Sequence, residues 1–265
     1  METLKLSTMS YTLDGGLARV VLNTPDRGNP IDGDFCGDMN RLSIELSTNP
    51  AVRAVLLTAN GRFFSVGGDI RTFTKDRQAL PAMVKRWTAD LHMGITRMQR
   101  MNAPVVTAVQ GDVAGGSVSL VAFSDIVYAA EGVKFNAAFS MIGYCADSGS
   151  TISLSNRMGY SRAKRFLLLS ESLTAGEALE AGLVDFVTSP GDLAEAAEKT
   201  AQKLARGATQ AYGAIKRTMM SARIQGFEAQ LEDEAQNLSI LAGGDDAWEG
   251  LTAFAERRKP EFKGR

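Results

Sequence analysis

The sequence predicts an α/β fold that gives way to a helical C-terminal region, and two observations carry that prediction. Apolar, valine- and leucine-rich runs alternate with amphipathic segments over the first part of the chain, the pattern of strands joined by crossover helices. Beyond Asp192 the chain changes character and its apolar positions recur almost wholly at helical spacing. With 265 residues and 45% hydrophobic side chains, there is enough apolar material for a full core.

Taken in order, Ala18–Asn23 (ARVVLN) is a strand after the Asp14-Gly15-Gly16 turn, and Asn23–Asp32, with two prolines and a glycine, is a loop. Phe35, Met39, Leu42 and Leu46 fall on one face of a helix that Asn49-Pro50 stops. Val52–Thr58 is an apolar strand, followed by the glycine turn Phe63–Asp69 (FFSVGGD). Arg71–Ala82 is polar and irregular, and reads as a mobile flap over a site. Met83, Trp87, Leu91, Ile95 and Met98 mark one face of a long helix. Pro104–Val109 is a strand, Val118–Phe123 a helix and Ile126–Ala129 a returning strand. Ser161–Leu169 is helical. Thr174 and Glu177 form a capping box for Ala175–Ala181, which Gly182 ends before a short strand at Leu183–Val187. Helices are expected at Leu193–Arg206, Ala208–Ile224, Phe227–Leu241 and Asp245–Arg257. No Gly/Ser linker, fixed-period repeat or low-complexity stretch interrupts the chain.

Composition narrows the function classes. Against 30 acidic side chains stand 29 basic ones, a net charge of −1 that argues against nucleic-acid binding. Cys36 and Cys145 lie far apart and neither sits in a CxxC, so with the lone His92 they make no zinc site. No basic-then-apolar leader and no apolar run of membrane-span length is present. The expectation is a cytoplasmic, reduced, metal-free protein without a membrane segment.

The stretch with the clearest chemical content is Ala108–Asp125, AVQGDVAGGSVSLVAFSD. A buried strand runs into a glycine turn and then a helix whose first N–H groups are free, a ready site for an oxygen carrying negative charge. Gly115-Gly116 lack side chains, so a ligand can approach the main chain there. FFSVGGD supplies a second such turn, and Asp147 in YCADSGST supplies a lone carboxylate. Two amide-rich turns and one acid are the parts of proton-transfer chemistry beside a carbonyl.

Several segments together resemble the crotonase family, also called the enoyl-CoA hydratase/isomerase family. They are VVLNTPDRGNPID, FFSVGGDI, APVVTAVQGDVAGGSVSLVAFSDIVYAAEGVKF, GYSRAKRFLLLSESLTAGEALEAGLVDFV and the tail WEGLTAFAERRKPEF, in that order along nearly the whole chain. The resemblance implies a spiral of strand–strand–helix turns over 1–192 and a helical trimerisation region over 193–265. It implies homotrimers, often paired into hexamers, and a substrate carried as a coenzyme A thioester, with no further cofactor. The family's two oxyanion amides map onto Gly68 and Gly116. A thioester enolate places negative charge on one oxygen, and two fixed N–H donors stabilise it; removing one typically raises the barrier by about 3–4 kcal/mol.

The acids depart from the hydratase pattern. Hydratases of this family carry two glutamates that hold and activate water; by motif these positions fall at Ser119 and Phe139, and neither is acidic here. Hydration by the usual mechanism is not expected. Asp147, in GYCAD, takes the place of a functional aspartate found in family members without those glutamates. The surrounding KFNAAFSMIGYCADSGST resembles the 1,2-epoxyphenylacetyl-CoA isomerase branch, which shifts double bonds in enoyl-CoAs. One carboxylate suits that reaction, taking a proton from C2 or C4 and returning it at the other carbon. An apolar setting from Phe139, Met141 and Ile142 would raise its pKa toward the task. The competing reading of Asp147 is an N-cap for a helix starting near Ser148–Thr151.

Two other functions stay open at this point. The 4-chlorobenzoyl-CoA dehalogenases place a nucleophilic aspartate at the position of Asp147 and a catalytic histidine where His92 falls, but a tryptophan where this chain has Phe139. His92 otherwise reads as a packing or surface residue. A weakly catalytic acyl-CoA-binding protein is the third reading. For the coenzyme A arm, the resemblance offers Ser65, Asp69 and Ile70 of the glycine turn, with Phe139 beside the acyl group. Arg27 is a candidate for phosphate pairing, as is Arg257, with Phe254 beside it, from the tail of a neighbouring subunit. Trp248, Leu251 and Phe254 fall on one helix face that suits a core or a trimer interface.

Overall fold

The computed structural model describes residues 4–265, and the expected α/β chain with a helical tail is what it shows. It opens on a hairpin: β1 (Met9–Asp14) pairs antiparallel with β2 (Leu17–Leu22) across Gly15-Gly16. β1 was not evident in the sequence because it is an edge strand; only Met9 of MSYTLD is buried, so no apolar run marks it. Asp32 caps α1 (Gly33–Thr48) by accepting the Phe35 N–H at 2.9 Å, and Phe35, Met39, Leu42 and Leu46 are buried as their spacing requires.

Next come β3 (Ala54–Ala59), β4 (Phe63–Ser65), the single turn α2 (Ile70–Phe73) and the long α3 (Leu80–Arg100). The expected flap therefore holds a helical turn, and α3 begins at Leu80, with Pro81 in its first turn, where a missing N–H costs nothing. β5 (Val105–Val109), β6 (Asp112–Ala114) and α4 (Ser117–Ala122) repeat the theme. So do β7 (Ile126–Ala130), β8 (Lys134–Asn136), α5 (Ser150–Met158) and α6 (Tyr160–Leu168). Each round lays one strand in each of two sheets and then turns through helix, which makes a spiral.

The larger sheet has the order β1-β2-β3-β5-β7 and closes with β10 (Phe186–Thr188); β2 onward is parallel. β5 is buried along its whole length, as expected of a parallel strand covered on both faces. The smaller sheet, β4-β6-β8 with β9 (Ser172–Thr174), consists of three-residue strands. Segments that short carry no readable alternation, so the sequence indicated turns where this sheet lies. α7 (Ala175–Glu180) has the full Thr174/Glu177 capping box.

The tail comprises α8 (Leu193–Ala205), α9 (Thr209–Ser221), α10 (Phe227–Ala242) and α11 (Asp245–Ala255). α8 buries Leu193, Ala197, Ala201 and Ala205 against β3, β5 and β7, so this first tail helix is part of the spiral's own core. Small alanines at this seam let the helix lie close to the sheet. Past residue 192 the tail thus still contributes to the core, and α9 adds Lys216, which pairs with Asp125 at 2.8 Å. Among the described residues no helix is long and apolar enough to cross a membrane.

Candidate active site

The two glycine turns meet at the carboxyl ends of β4 and β6. Gly67 has φ +80°, and a Cβ there would stand 2.4 Å from the Ala114 carbonyl oxygen, so the two main chains touch where a side chain would part them. Ser117 Oγ lies 2.6 Å from the Ala114 carbonyl and 3.0 Å from that of Ser65, tying the second turn to the first. Gly67→Ala is expected to destabilise the fold by about 3 kcal/mol or more, read as a lowered denaturation midpoint, because it adds backbone strain to a collision with main chain.

Gly68 and Gly116 both line a cavity of about 610 Å³. Ile31 bridges to Gly68 in parallel fashion, donating to the Gly67 carbonyl at 2.8 Å and accepting from Asp69 N–H at 3.2 Å. That pairing consumes the groups on either side of Gly68 and leaves its own N–H unused. Gly116 precedes α4, where intrahelical partners are lacking. Among the described residues neither the Gly68 nor the Gly116 N–H donates to a protein acceptor. Two unclaimed amides therefore stand on one cavity wall.

Asp147 stands on the same wall. A Cβ built on Gly116 would lie 3.6 Å from Asp147 Oδ1, which puts the carboxylate beside the second amide. Its side chain does not cap α5: the residue before that helix is Gly149, with no side-chain capping bond. Instead Oδ1 accepts the Ser148 hydroxyl at 3.0 Å, while the Asp147 carbonyl accepts Ser150 N–H at 2.8 Å and Ser150 Oγ at 2.6 Å. Ser119, fully buried on α4, approaches the same carbonyl at 3.3 Å and also bonds Ser150. A small hydroxyl at Ser119 thus braces the turn that presents Asp147. Burial pushes the Asp147 carboxyl above its ordinary value; the Ser148 hydroxyl and the nearby His92 oppose that rise and do not cancel it.

The remaining wall is apolar. Ile31, Val66, Ile70, Phe73, Val84 and Trp87 line it, and Phe73 sits 5.6 Å from Trp87 and 5.9 Å from Tyr144 between ring centroids. Phe139 and Ile142 line it as expected, whereas Met141 is 72% exposed and takes no part in the lining. Sequence reasoning missed Phe73 and took Trp87 for a packing residue, whereas Val66 falls inside the Ser65–Ile70 stretch that the resemblance offers as lining. The spacing Val84, Trp87, Thr88 was the available signal, one stripe of α3 beside its buried stripe. Cys36 also lines the cavity; burial, then the charges of Asp32, Asp90 and Asp147, push its thiol up to about 12, so it is an inert wall group. Among the cavity-lining residues Asp147 is the sole carboxylate, and none is Lys or Arg.

Other sequence candidates sit elsewhere. Ser65 is fully buried and its Oγ accepts Gly67 N–H at 3.2 Å, so it braces the turn from behind the cavity wall. Arg27 Nη2 is held by Asp32 at 2.7 Å and Asp69 at 2.9 Å. Asp69 also caps α2. Burial works against Asp69 ionising, yet hydrogen bonds from Thr72 and the Arg27 charge outweigh it and hold the carboxyl below its ordinary value. Ile70 is on the cavity rim, 48% exposed. Phe254, 87% exposed, and Arg257 lie outside the cavity of this chain. His92 projects from α3 with Nε2 3.2 Å from the Ser148 backbone nitrogen, whose N–H it accepts. Among the described residues no three His, Cys, Asp or Glu side chains converge as a metal site.

Comparison with known proteins places this architecture. The family model for enoyl-CoA hydratase/isomerase matches residues 12–265. A trans-2-decenoyl-[acyl-carrier-protein] isomerase of Streptococcus mutans is 30% identical over 96% of this chain and 97% of its own length. The 1,2-epoxyphenylacetyl-CoA isomerase of Escherichia coli is 31% identical over 96% and 97%. An enoyl-CoA hydratase structure from Polaromonas sp. JS666 superposes with a TM-score of 0.91 at 26% identity, covering 97% of this chain and all of that one.

Proposed function

The chain belongs to the enoyl-CoA hydratase/isomerase family, and from that premise we propose that it shifts a carbon–carbon double bond in an enoyl-CoA, using Asp147 as its single acid/base. The observation that carries the reading is the grouping of two unclaimed N–H donors with one carboxylate of raised pKa on an otherwise apolar wall. Ionised Asp147 removes a proton from C2 of a 3-enoyl thioester, the electrons move onto the carbonyl oxygen, and the Gly68 and Gly116 amides hold that enolate. Asp147 then returns the proton at C4, leaving the conjugated 2-enoyl thioester. The reaction needs no cofactor beyond the coenzyme A that the substrate carries.

The same wall argues against hydration. Addition of water in this family rests on two glutamates; Ser119 and Phe139 stand at those positions, one tied into the Asp147 turn and the other an apolar lining residue. Engagement of His92 Nε2 by Ser148 N–H likewise argues against a water-activating role in a dehalogenase cycle. The test is to offer the protein a 3-enoyl-CoA and, separately, a 2-enoyl-CoA. Formation of conjugated product from the first, without 3-hydroxyacyl-CoA from the second, supports the reading; hydration as the faster reaction refutes it.

A pH profile follows from the Asp147 environment. The base must be ionised to act, so kcat/KM falls as pH drops through its pKa. Burial places that acid limb above the ordinary aspartate value of 3.8. A limb at or below that value would contradict a buried base.

We also propose a homotrimer, alone or paired into a hexamer. Trp248, Leu251 and Phe254 of α11 are 72%, 66% and 87% exposed in the single chain, a contiguous apolar stripe of the kind that a second copy covers. Trp248→Glu is expected to lower the sedimenting mass toward that of one chain; an unchanged mass would remove α11 from the interface.

A further inference from the structure

We propose that His92 is a positioning residue for the double-bond shift, holding the Ser148 turn that aims the Asp147 carboxylate into the cavity. Ser148 is an unusual residue: buried at 2% exposure and left-handed at φ +53°, a conformation rare for any residue but glycine. Something must over-determine that backbone for it to persist. Its N–H has one protein acceptor, His92 Nε2 at 3.2 Å, on a helix 56 residues earlier in the chain. Its hydroxyl has another, Asp147 Oδ1 at 3.0 Å. The chain of contacts therefore runs from α3, through His92, to the Ser148 main chain and then to the base.

α3 is a rigid support for this purpose. Leu91, Ile95 and Met98 anchor it in the core against α1, and its other stripe, Val84, Trp87 and Thr88, forms cavity wall. Asp147 itself, the Cys36 and Cys145 thiols and the Tyr144 hydroxyl share the cavity lining with Ser148, and Asp32 and Asp90 act on Cys36 from behind it, Asp90 accepting from Asn40 at 2.8 Å. None of these supplies an acceptor to Ser148 N–H among the described contacts. A displacement of a base by about 1 Å is enough to cost about 100-fold in rate, which sets the scale of the effect.

The inference rests on Asp147 being the base, and the experiment separates the two. Wild type, His92→Leu, His92→Gln and Ser148→Ala are compared in kcat, KM and the acid limb of kcat/KM on a 3-enoyl-CoA. A saturated acyl-CoA titrated against each checks that the cavity is intact. His92→Leu removes the acceptor, and kcat is expected to fall about 100-fold with KM little changed. Its acid limb moves to higher pH, because the Ser148 hydroxyl that favours ionised Asp147 is no longer aligned. His92→Gln offers a side-chain oxygen near the same place and recovers most of kcat. Ser148→Ala keeps the N–H but loses the hydroxyl, and shifts the limb in the same direction even if His92→Leu does not fold.

Three results overturn the proposal: His92→Leu with wild-type kcat and limb, His92→Gln no better than His92→Leu, or Ser148→Ala with an unmoved limb. If Asp147→Asn retains turnover, the base assignment falls and this inference with it. If Asp147→Asn is inactive while the His92 variants match wild type, the positioning role alone is lost.

Discussion

Asp147→Asn is expected to abolish double-bond migration while making the protein more stable. The loss in kcat should reach about 10²–10⁴-fold, the usual contribution of a positioned general acid/base, since no other carboxylate lines the cavity. Substrate affinity should change little, because an amide keeps the shape and still accepts the Ser148 hydroxyl. The gain in stability has a separate cause. Burial raises the Asp147 pKa in the folded state above its unfolded value. Between those two values the folded state binds more protons than the unfolded one, so stability falls as pH rises through that window and stays reduced above it. A neutral asparagine removes that loss. Thermal midpoints of the two proteins should therefore coincide below the unfolded-state pKa and separate above the folded-state one, with the asparagine variant higher. Equal midpoints at neutral pH would mean that the carboxylate is not penalised by its surroundings.

The second large effect belongs to Gly116. Its φ of −57° and ψ of −22° suit proline, which has no N–H. Gly116→Pro is expected to lower kcat by about 10²–10³-fold, the cost of one oxyanion donor. A ring at this place starts from a Cβ position 3.4 Å from Ile31, within ordinary contact. The measurement pairs kcat with the affinity for a saturated acyl-CoA. That ligand's neutral carbonyl uses the amide far less than the enolate does, so affinity should fall much less than rate. A parallel fall in both would assign the amide to ground-state binding instead.

What the sequence made legible, and what it hid, follows from the range of the interactions. The Thr174/Glu177 box is local, and it is present as read. The α1 and α3 faces follow from helical period, and the buried strands of the larger sheet from their unbroken apolar runs. The smaller sheet was invisible because its three-residue strands hold too few repeats of a two-residue alternation to read. The edge strand β1 was invisible because half of it faces water.

At the site, the glycine turns and Asp147 were readable as parts, but their grouping was not. That Ser119 would bond Ser150, 31 residues later, and that His92 would accept Ser148 N–H are facts of packing that no local pattern encodes. Arg27 shows the converse. A surface arginine beside an anion path invites a phosphate partner, and the folded chain adds what no local pattern shows, Asp32 and Asp69 both accepting from its Nη2. Phe73 hid inside a stretch of polar residues whose composition suggested a flap; one aromatic there contributes the ring that links Trp87 to Tyr144.

The most direct test of Asp147 as the shuttle between C2 and C4 is turnover of a 3-enoyl-CoA in deuterated water, following conjugated-thioester absorbance and product mass for wild type and Asp147→Asn. The account predicts a 2-enoyl-CoA from wild type in which any deuterium sits at C4, and no product from the variant on the same timescale. Equal rates from both proteins, or a hydrated product from wild type, would contradict it.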